Sequence, residues 1–171
     1  MTKKYLVFAL GILSTVAVMA QGPIAKGQSQ LNFGVGFSNW GVPLYFGFDH
    51  GVHKDITIGA EFSFRNYNHN YRNQRYRNSV LGFSGNANYH FNTILNIPRN
   101  WDFYAGINLG FYHWSNSNKY PDEYRNGYNS GVGLGAQVGG RYYFNNSLGI
   151  NLELGGGNAF SGGKFGLSVR L

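Results

Sequence analysis

From residue 31 onward this sequence alternates one apolar side chain with one polar side chain, in runs of about ten residues, eight times over. A period of two sends successive side chains to opposite faces of an extended strand, so every run carries one oily face and one polar face. The first run sets Leu31, Phe33, Val35 and Phe37 against Asn32, Gly34, Gly36 and Ser38. The second sets Leu44, Phe46 and Phe48 against Tyr45, Gly47 and Asp49, and the third sets Ile56, Ile58, Ala60, Phe62 and Phe64 against Thr57, Gly59, Glu61, Ser63 and Arg65. The others run from Val80 to Phe91, Trp101 to Tyr112, Val132 to Phe144, Leu148 to Leu154 and Lys164 to Leu171. Clusters of Asn, Gly, Ser and Pro separate them, which predicts eight antiparallel strands in an all-β, up-and-down arrangement.

The chemistry of the polar face decides which way the strands turn. In a water-soluble sandwich the outward face is rich in Lys and Glu. Here Gly, Asn, Ser and Tyr dominate it, and only 12% of the chain is charged, against about a quarter in an average soluble domain. Such a face suits a narrow enclosed interior, with the apolar face turned to lipid. The interior would then hold Asp49, Glu61, Asp102 and Glu153 with Arg65, Arg141, Lys164 and Arg170, acids and bases in equal number. Buried charges persist only when paired and hydrogen-bonded, so ion pairs are expected among these side chains. Eight strands enclose a space about wide enough for side chains to fill, which predicts a plugged lumen rather than a channel.

Residues 1–20 read as a secretion signal: Lys3 and Lys4 precede an apolar run from Tyr5 to Ala20, and Val18, Met19 and Ala20 suit a peptidase cutting after Ala20. That run is shorter than the roughly 20 residues of a spanning helix. No other stretch approaches it in apolar length, so the barrel domain, residues 21–171, would cross a membrane by strands. Without Lys3 and Lys4 the balance is 12 basic side chains against 7 acidic. There are no cysteines, which excludes disulfides and thiolate metal sites.

With both termini in the periplasm, the odd-numbered connections face outward and are expected to be the long ones. Asn66 to Ser79 and Ser115 to Ser130, the longest, are the third and fifth. Tyr89, Phe91, Trp101, Phe103, Tyr142 and Phe144 then fall at periplasmic strand ends, where amphipathic rings form a membrane girdle. The last eight residues, with Gly166, Val169 and Leu171 in step, are similar to the C-terminal signal of outer-membrane barrels, although a terminal aromatic is usual there. Together with the leader and the eight strands, they make the chain resemble the small outer-membrane β-barrel family that includes OmpX and the membrane domain of OmpA. The resemblance implies insertion by the assembly machinery of a Gram-negative outer membrane and lasting contact with its lipid, as a monomer and without a cofactor. It implies little about chemistry, because one fold hosts many functions.

Two stretches carry candidate chemistry. His113, Trp114, Ser115 and Asn116 resemble the H-x-S-N motif of the lipid A deacylase PagL, in which a base activates a serine and an acid orients the base. Glu123 would be that acid. The motif lies near the end of the chain in that family but closes the fifth strand here, so the reading taken is a strand-to-loop transition with an interfacial Trp, and the chain is expected not to be an enzyme. Asn66 to Arg77 interleaves Arg72, Arg75 and Arg77 with tyrosines and has no acid. It reads either as a solvated outward loop or as a contact for lipopolysaccharide phosphates, which suit Arg forks; nucleic acid is not expected outside the cell. Gly131, Gly133 and Ala136 imitate a dinucleotide fingerprint, but the segment continues as a strand where the fingerprint needs a helix. His50 and His53 flank a turn, and no metal site is expected. The expected role is structural, in the envelope, or surface binding.

Overall fold

The structure, a computed structural model, describes residues 23–38, 41–71, 74–116, 130–159 and 161–171, with side chains except at 67–71, 74–78 and 116. The expected signal segment, residues 1–20, lies outside the described residues. The eight strands are β1 (Ser29–Ser38), β2 (Leu44–His53), β3 (Ile56–Tyr71), β4 (Gln74–His90), β5 (Trp101–Asn116), β6 (Gly131–Tyr143), β7 (Leu148–Gly157) and β8 (Ser161–Arg170). Each pairs antiparallel with the next, and β1 pairs with β8 from Gln30↔Arg170 to Ser38↔Gly162, closing the sheet into a barrel.

The two faces of the strands reverse the usual arrangement of a water-soluble protein. Val35, Phe46, Ile58, Phe83, Leu109, Val138, Leu152 and Phe165, one from each strand, stand exposed on the outside, while Gln30, Thr57, Asp102 and Ser168 inside have no accessible surface. Alternation explains this, because each strand carries its apolar set to one side and closure leaves the other side facing a small lumen. The core of this molecule is polar.

Three stretches differ from the sequence reading. Residues 66–71 and 74–79, expected within a long loop, are wall instead: β3 and β4 pair in unbroken register out to Tyr71↔Gln74. The stretch lacks apolar residues and so reads as loop, yet a backbone ladder needs none, and its tyrosines favour strand. Ser115 and Asn116, expected to open a loop, still pair with Ser79 and Asn78 as the last residues of β5, and the His113 motif closes that strand. Between β4 and β5 a single helical turn, α1 (Asn92–Leu95), ends at Asn96 in the left-handed conformation. Asn92 ties it to β5, donating to the Trp101 carbonyl at 2.6 Å and accepting from the Phe103 amide at 3.2 Å.

At the end of the barrel where the C-terminus lies, the segment before β1 folds against β2. Gly27 donates to the Gly51 carbonyl, the Gly51 amide donates to Gln28, and Ile24 is buried. A Cβ on Gly51 would stand 3.0 Å from the Ile24 carbonyl oxygen, so the strap needs glycine there.

If the exterior is lipid-facing, Leu152→Arg, at mid-strand on β7, should destabilise the barrel by about 2–4 kcal/mol. Urea unfolding in lipid vesicles measures this, and a cost no larger than that of a loop substitution would contradict a lipid-facing wall.

Candidate functional site

The lumen holds two layers of charge, one above the other. In the layer nearer the C-terminus Arg141 bridges two carboxylates, reaching Asp49 at 2.7 Å and Asp102 at 3.1 Å. Asp102 and Arg141 are direct cross-strand partners on β5 and β6. The guanidinium also lies over the Tyr104 ring, 4.3 Å from its centroid. Asp102 turns its other oxygen to His90 Nδ1 at 2.6 Å, and His90 Nε2 meets the Thr57 hydroxyl at 3.0 Å.

Neutral groups tie this layer to the rest of the wall. The Asn32 amide donates to Asp49 at 2.9 Å and its oxygen accepts from both Gln30 and Ser168. Asn151 donates to Ser168, and Tyr45 donates to Asn151 at 2.6 Å. Tyr143 donates to Gln30. Satisfaction of this kind is what lets buried charge persist, since each unmet partner would cost its desolvation.

In the layer farther from the C-terminus Lys164 sits between Glu61 at 2.6 Å and Glu153 at 2.7 Å, above the Tyr45 ring. Glu153 and Lys164 face each other across β7 and β8. Tyr104 joins the layers: its ring underlies Arg141 and its hydroxyl donates to Glu153 at 2.9 Å. That ring crosses the lumen over Gly139, where a Cβ would come within 2.8 Å of it.

Six of the eight charged side chains singled out in the sequence therefore meet in ion pairs. The other two lie toward the ends of the lumen. Arg65 donates to Ser38 Oγ at 3.1 Å on the outward side. Arg170 stacks on Tyr143, 3.5 Å from the ring centroid, on the periplasmic side. Alternation puts Thr57 on the polar face of β3 and His90 on that of β4, and both reach the Arg141 layer through Asp102. Their signal was available, since His90 closes β4 and Asp102 opens β5 on the same face.

Thr57, His90 and Asp102 are ordered as hydroxyl, base and acid, but all three are buried to within 1% of full enclosure. With no surface for a substrate to reach, the arrangement orients Asp102, whose counter-charge is Arg141. The exposed His113 motif is not assembled as a triad among the described residues: His113 Nδ1 meets Ser130 Oγ at 3.2 Å rather than Ser115. Glu123 lies outside the described residues.

Arg72 also lies outside them. Arg75 and Arg77 stand at register positions opposite Asn70 and Asn68. The six girdle rings make two groups: Trp101 stacks on Phe103 at 5.5 Å and touches Tyr142 at 4.8 Å, and Tyr142 meets Phe144, while Tyr89 meets Phe91 separately. His50 binds the Ser29 hydroxyl and His53 accepts from the Asp55 amide, as turn residues do. Among the described residues no three potential metal ligands come together.

The lumen is packed unevenly. Beside Arg141 lies a gap of about 20 Å³. Outward of Lys164 lies a cavity of about 110 Å³, bounded by Glu61, Arg65, Tyr112, Asn86 and Asn108 on one side and by the glycines of β6, β7 and β8 on the other.

Solved structures share this architecture. The outer membrane protein OprG from Pseudomonas aeruginosa superposes with a TM-score of 0.67 at 7% identity, covering 90% of this chain and 99% of that one. The fold is that of the small outer-membrane β-barrels. Neisserial surface protein A (TM-score 0.53, 13% identity, 84% and 94% coverage) and Ail of Yersinia pestis (0.51, 11%, 85% and 99%) have it too. At such identities the likeness is one of fold. No protein-family model and no curated protein matches the sequence.

Removing Arg141 would leave Asp49 and Asp102 facing each other without a cation. Arg141→Met should cost about 3–5 kcal/mol, the range for breaking a buried pair from one side. Lys164→Met should cost less, because Lys164 and its carboxylates keep partial contact with solvent. Equilibrium unfolding of both variants in detergent tests the order, and equal losses would contradict it.

Proposed function

We propose that the protein spans the outer membrane as a closed barrel and acts without catalysis, in envelope structure or by presenting its outward hairpins for binding. The observation that carries this reading is the reversal of faces: large apolar side chains stand exposed on every strand while charged and amide groups fill the interior. Only a lipid exterior makes that arrangement stable, since in water so much exposed apolar surface would drive aggregation. Residues 1–20 fit the same reading as the export signal. The girdle of Trp101, Phe103 and Tyr142 would sit at the inner interface of the bilayer.

The ion pairs of Arg141 and Lys164 cross the lumen one after the other and leave it filled. Liposomes carrying the refolded protein should therefore swell no faster in sugar solutions than empty ones. Rapid swelling would replace the closed barrel with a pore.

The His113 arrangement favours the non-enzymatic reading, because its ring meets Ser130. Lipid A from cells expressing the protein should give the same mass spectrum with and without Ser115→Ala; loss of a deacylated species in the variant would restore the hydrolase.

A contact with lipopolysaccharide is supported by the register. Arg75 and Arg77 lie in step with Ser79, Leu81 and Phe83 along β4, on the wall just outward of the lipid-facing rows. Replacing Arg72, Arg75 and Arg77 with Ser should weaken binding to purified lipopolysaccharide, and unchanged binding would leave a solvated ribbon.

A further inference from the structure

We infer that α1, the turn between β4 and β5, is a foot that seats in the headgroup layer of the membrane and recruits anionic phospholipid, with Ile94 and Leu95 against the acyl side and Arg99 and Lys54 on the lipid phosphates. The inference rests on the membrane-spanning reading of the barrel.

The turn has two faces. Leu95 donates its amide to the Phe91 carbonyl at 3.0 Å, and in a helical turn the third and fourth residues onward lie on the same side as the first. Phe91, Ile94 and Leu95 therefore share one apolar face. Asn92 and Thr93 take the other: Asn92 is bonded to the β5 backbone, and the Thr93 hydroxyl donates to Asp55 on the β2–β3 turn. These bonds hold the turn from the side opposite its apolar face.

That apolar face is open. Ile94 is 67% exposed and Leu95 64%, more than most of the large apolar side chains of the wall. Phe91 joins the face to the exterior aromatic rows, because its ring meets Tyr89 edge to face at 5.4 Å and its amide donates to the Phe103 carbonyl. The lipid that covers those rows is therefore the occupant that reaches the turn. Depth agrees: four residues of helix advance about 6 Å, and the interfacial layer on each side of the hydrocarbon is roughly 5–8 Å deep.

Charge supplies the selectivity. Lys54 and Arg99 stand exposed on the two turns that the Thr93 bond ties together, and Lys26 is exposed on the strap at the same end. Among the described residues the one acid outside the lumen is Asp55, which is buried, accepts from Thr93 and lies 3.6 Å from Lys54. The end as a whole is cationic. Cations beside apolar side chains at a bilayer interface attract anionic headgroups.

The test uses the full chain, which has no cysteine, carrying a bimane label at Leu95→Cys and refolded into vesicles of phosphatidylcholine and phosphatidylglycerol in equal parts. Insertion is scored separately by heat-modifiable gel mobility, and Ile94→Cys gives the same readout if the first variant does not insert. A nitroxide near the headgroup end of the lipid should quench the label, and aqueous iodide should not. Nitroxide on phosphatidylglycerol should quench at least about twofold more than nitroxide on phosphatidylcholine, and the ratio should fall to about one when Arg99→Gln and Lys54→Gln are combined. Inserted protein whose label is quenched by iodide and not by lipid, or equally by both lipids with the cations in place, or whose preference survives their loss, would overturn the foot and leave the barrel standing. Failure of the unmodified chain to insert would overturn the membrane-spanning reading, and the foot with it.

Discussion

Hydrocarbon offers a peptide group no hydrogen-bond partner, so a sheet that enters it must have no edge. The pairing of β1 with β8 meets that demand, and the rest of the molecule follows from it. The seam is built from glycine: at the Gly34↔Gly166 pair a Cβ on Gly34 would stand 2.5 Å from the facing Cα. Closure turns one face of every strand into a lumen too narrow for bulk water. The polar residues there must satisfy one another, and the Arg141 and Lys164 clusters with their amide and hydroxyl neighbours are how they do so.

Everything that follows from the two-residue period was legible in the sequence. Period and polarity fixed which side chains share the lumen, and equal numbers of acids and bases implied that they would pair. Register was not legible, because shear is set by the whole ring of strands rather than by any one of them. Asp102 with Arg141 and Glu153 with Lys164 are hairpin neighbours that a correct register would have given. The reach of Arg141 across to Asp49, from β6 to β2, needs the closed barrel in three dimensions.

The misread stretches share one cause. Residues 66–71 and 74–79, with Ser115 and Asn116, lie beyond the rows of exposed apolar side chains, where alternation of apolar with polar residues ceases while the backbone ladder goes on. Hydrophobic pattern marks the depth of the bilayer, not the length of the strand. The short helix α1 was missed for a different reason: one turn is too brief to show a period, and its anchor is the Asn92 side chain rather than an apolar stripe.

The lumen is also graded along its axis, and the inner face of β6 shows how. From the outward end it reads Gly133, Gly135, Gln137, Gly139, Arg141, Tyr143, with side-chain bulk rising toward the periplasm. Gly139 is dictated by packing, since the Tyr104 ring occupies its Cβ space. Gly155 on the neighbouring strand is less constrained: the nearest atoms to a Cβ there are at 3.1 Å and beyond. Glycine within a strand forgoes side-chain packing and costs backbone entropy, roughly 0.5–1 kcal/mol relative to alanine. Most of the glycines that border the cavity beyond Lys164 are likewise dictated by packing: a Cβ on Gly133 would stand 2.5 Å from the Tyr112 ring and one on Gly135 2.9 Å from Asn108 Oδ1. The bulky side chains Gln30, His90 and Tyr143 fill the half of the lumen nearer the C-terminus. Backbones that must approach closely at one end and bulky polar side chains that must pair at the other set the gradient.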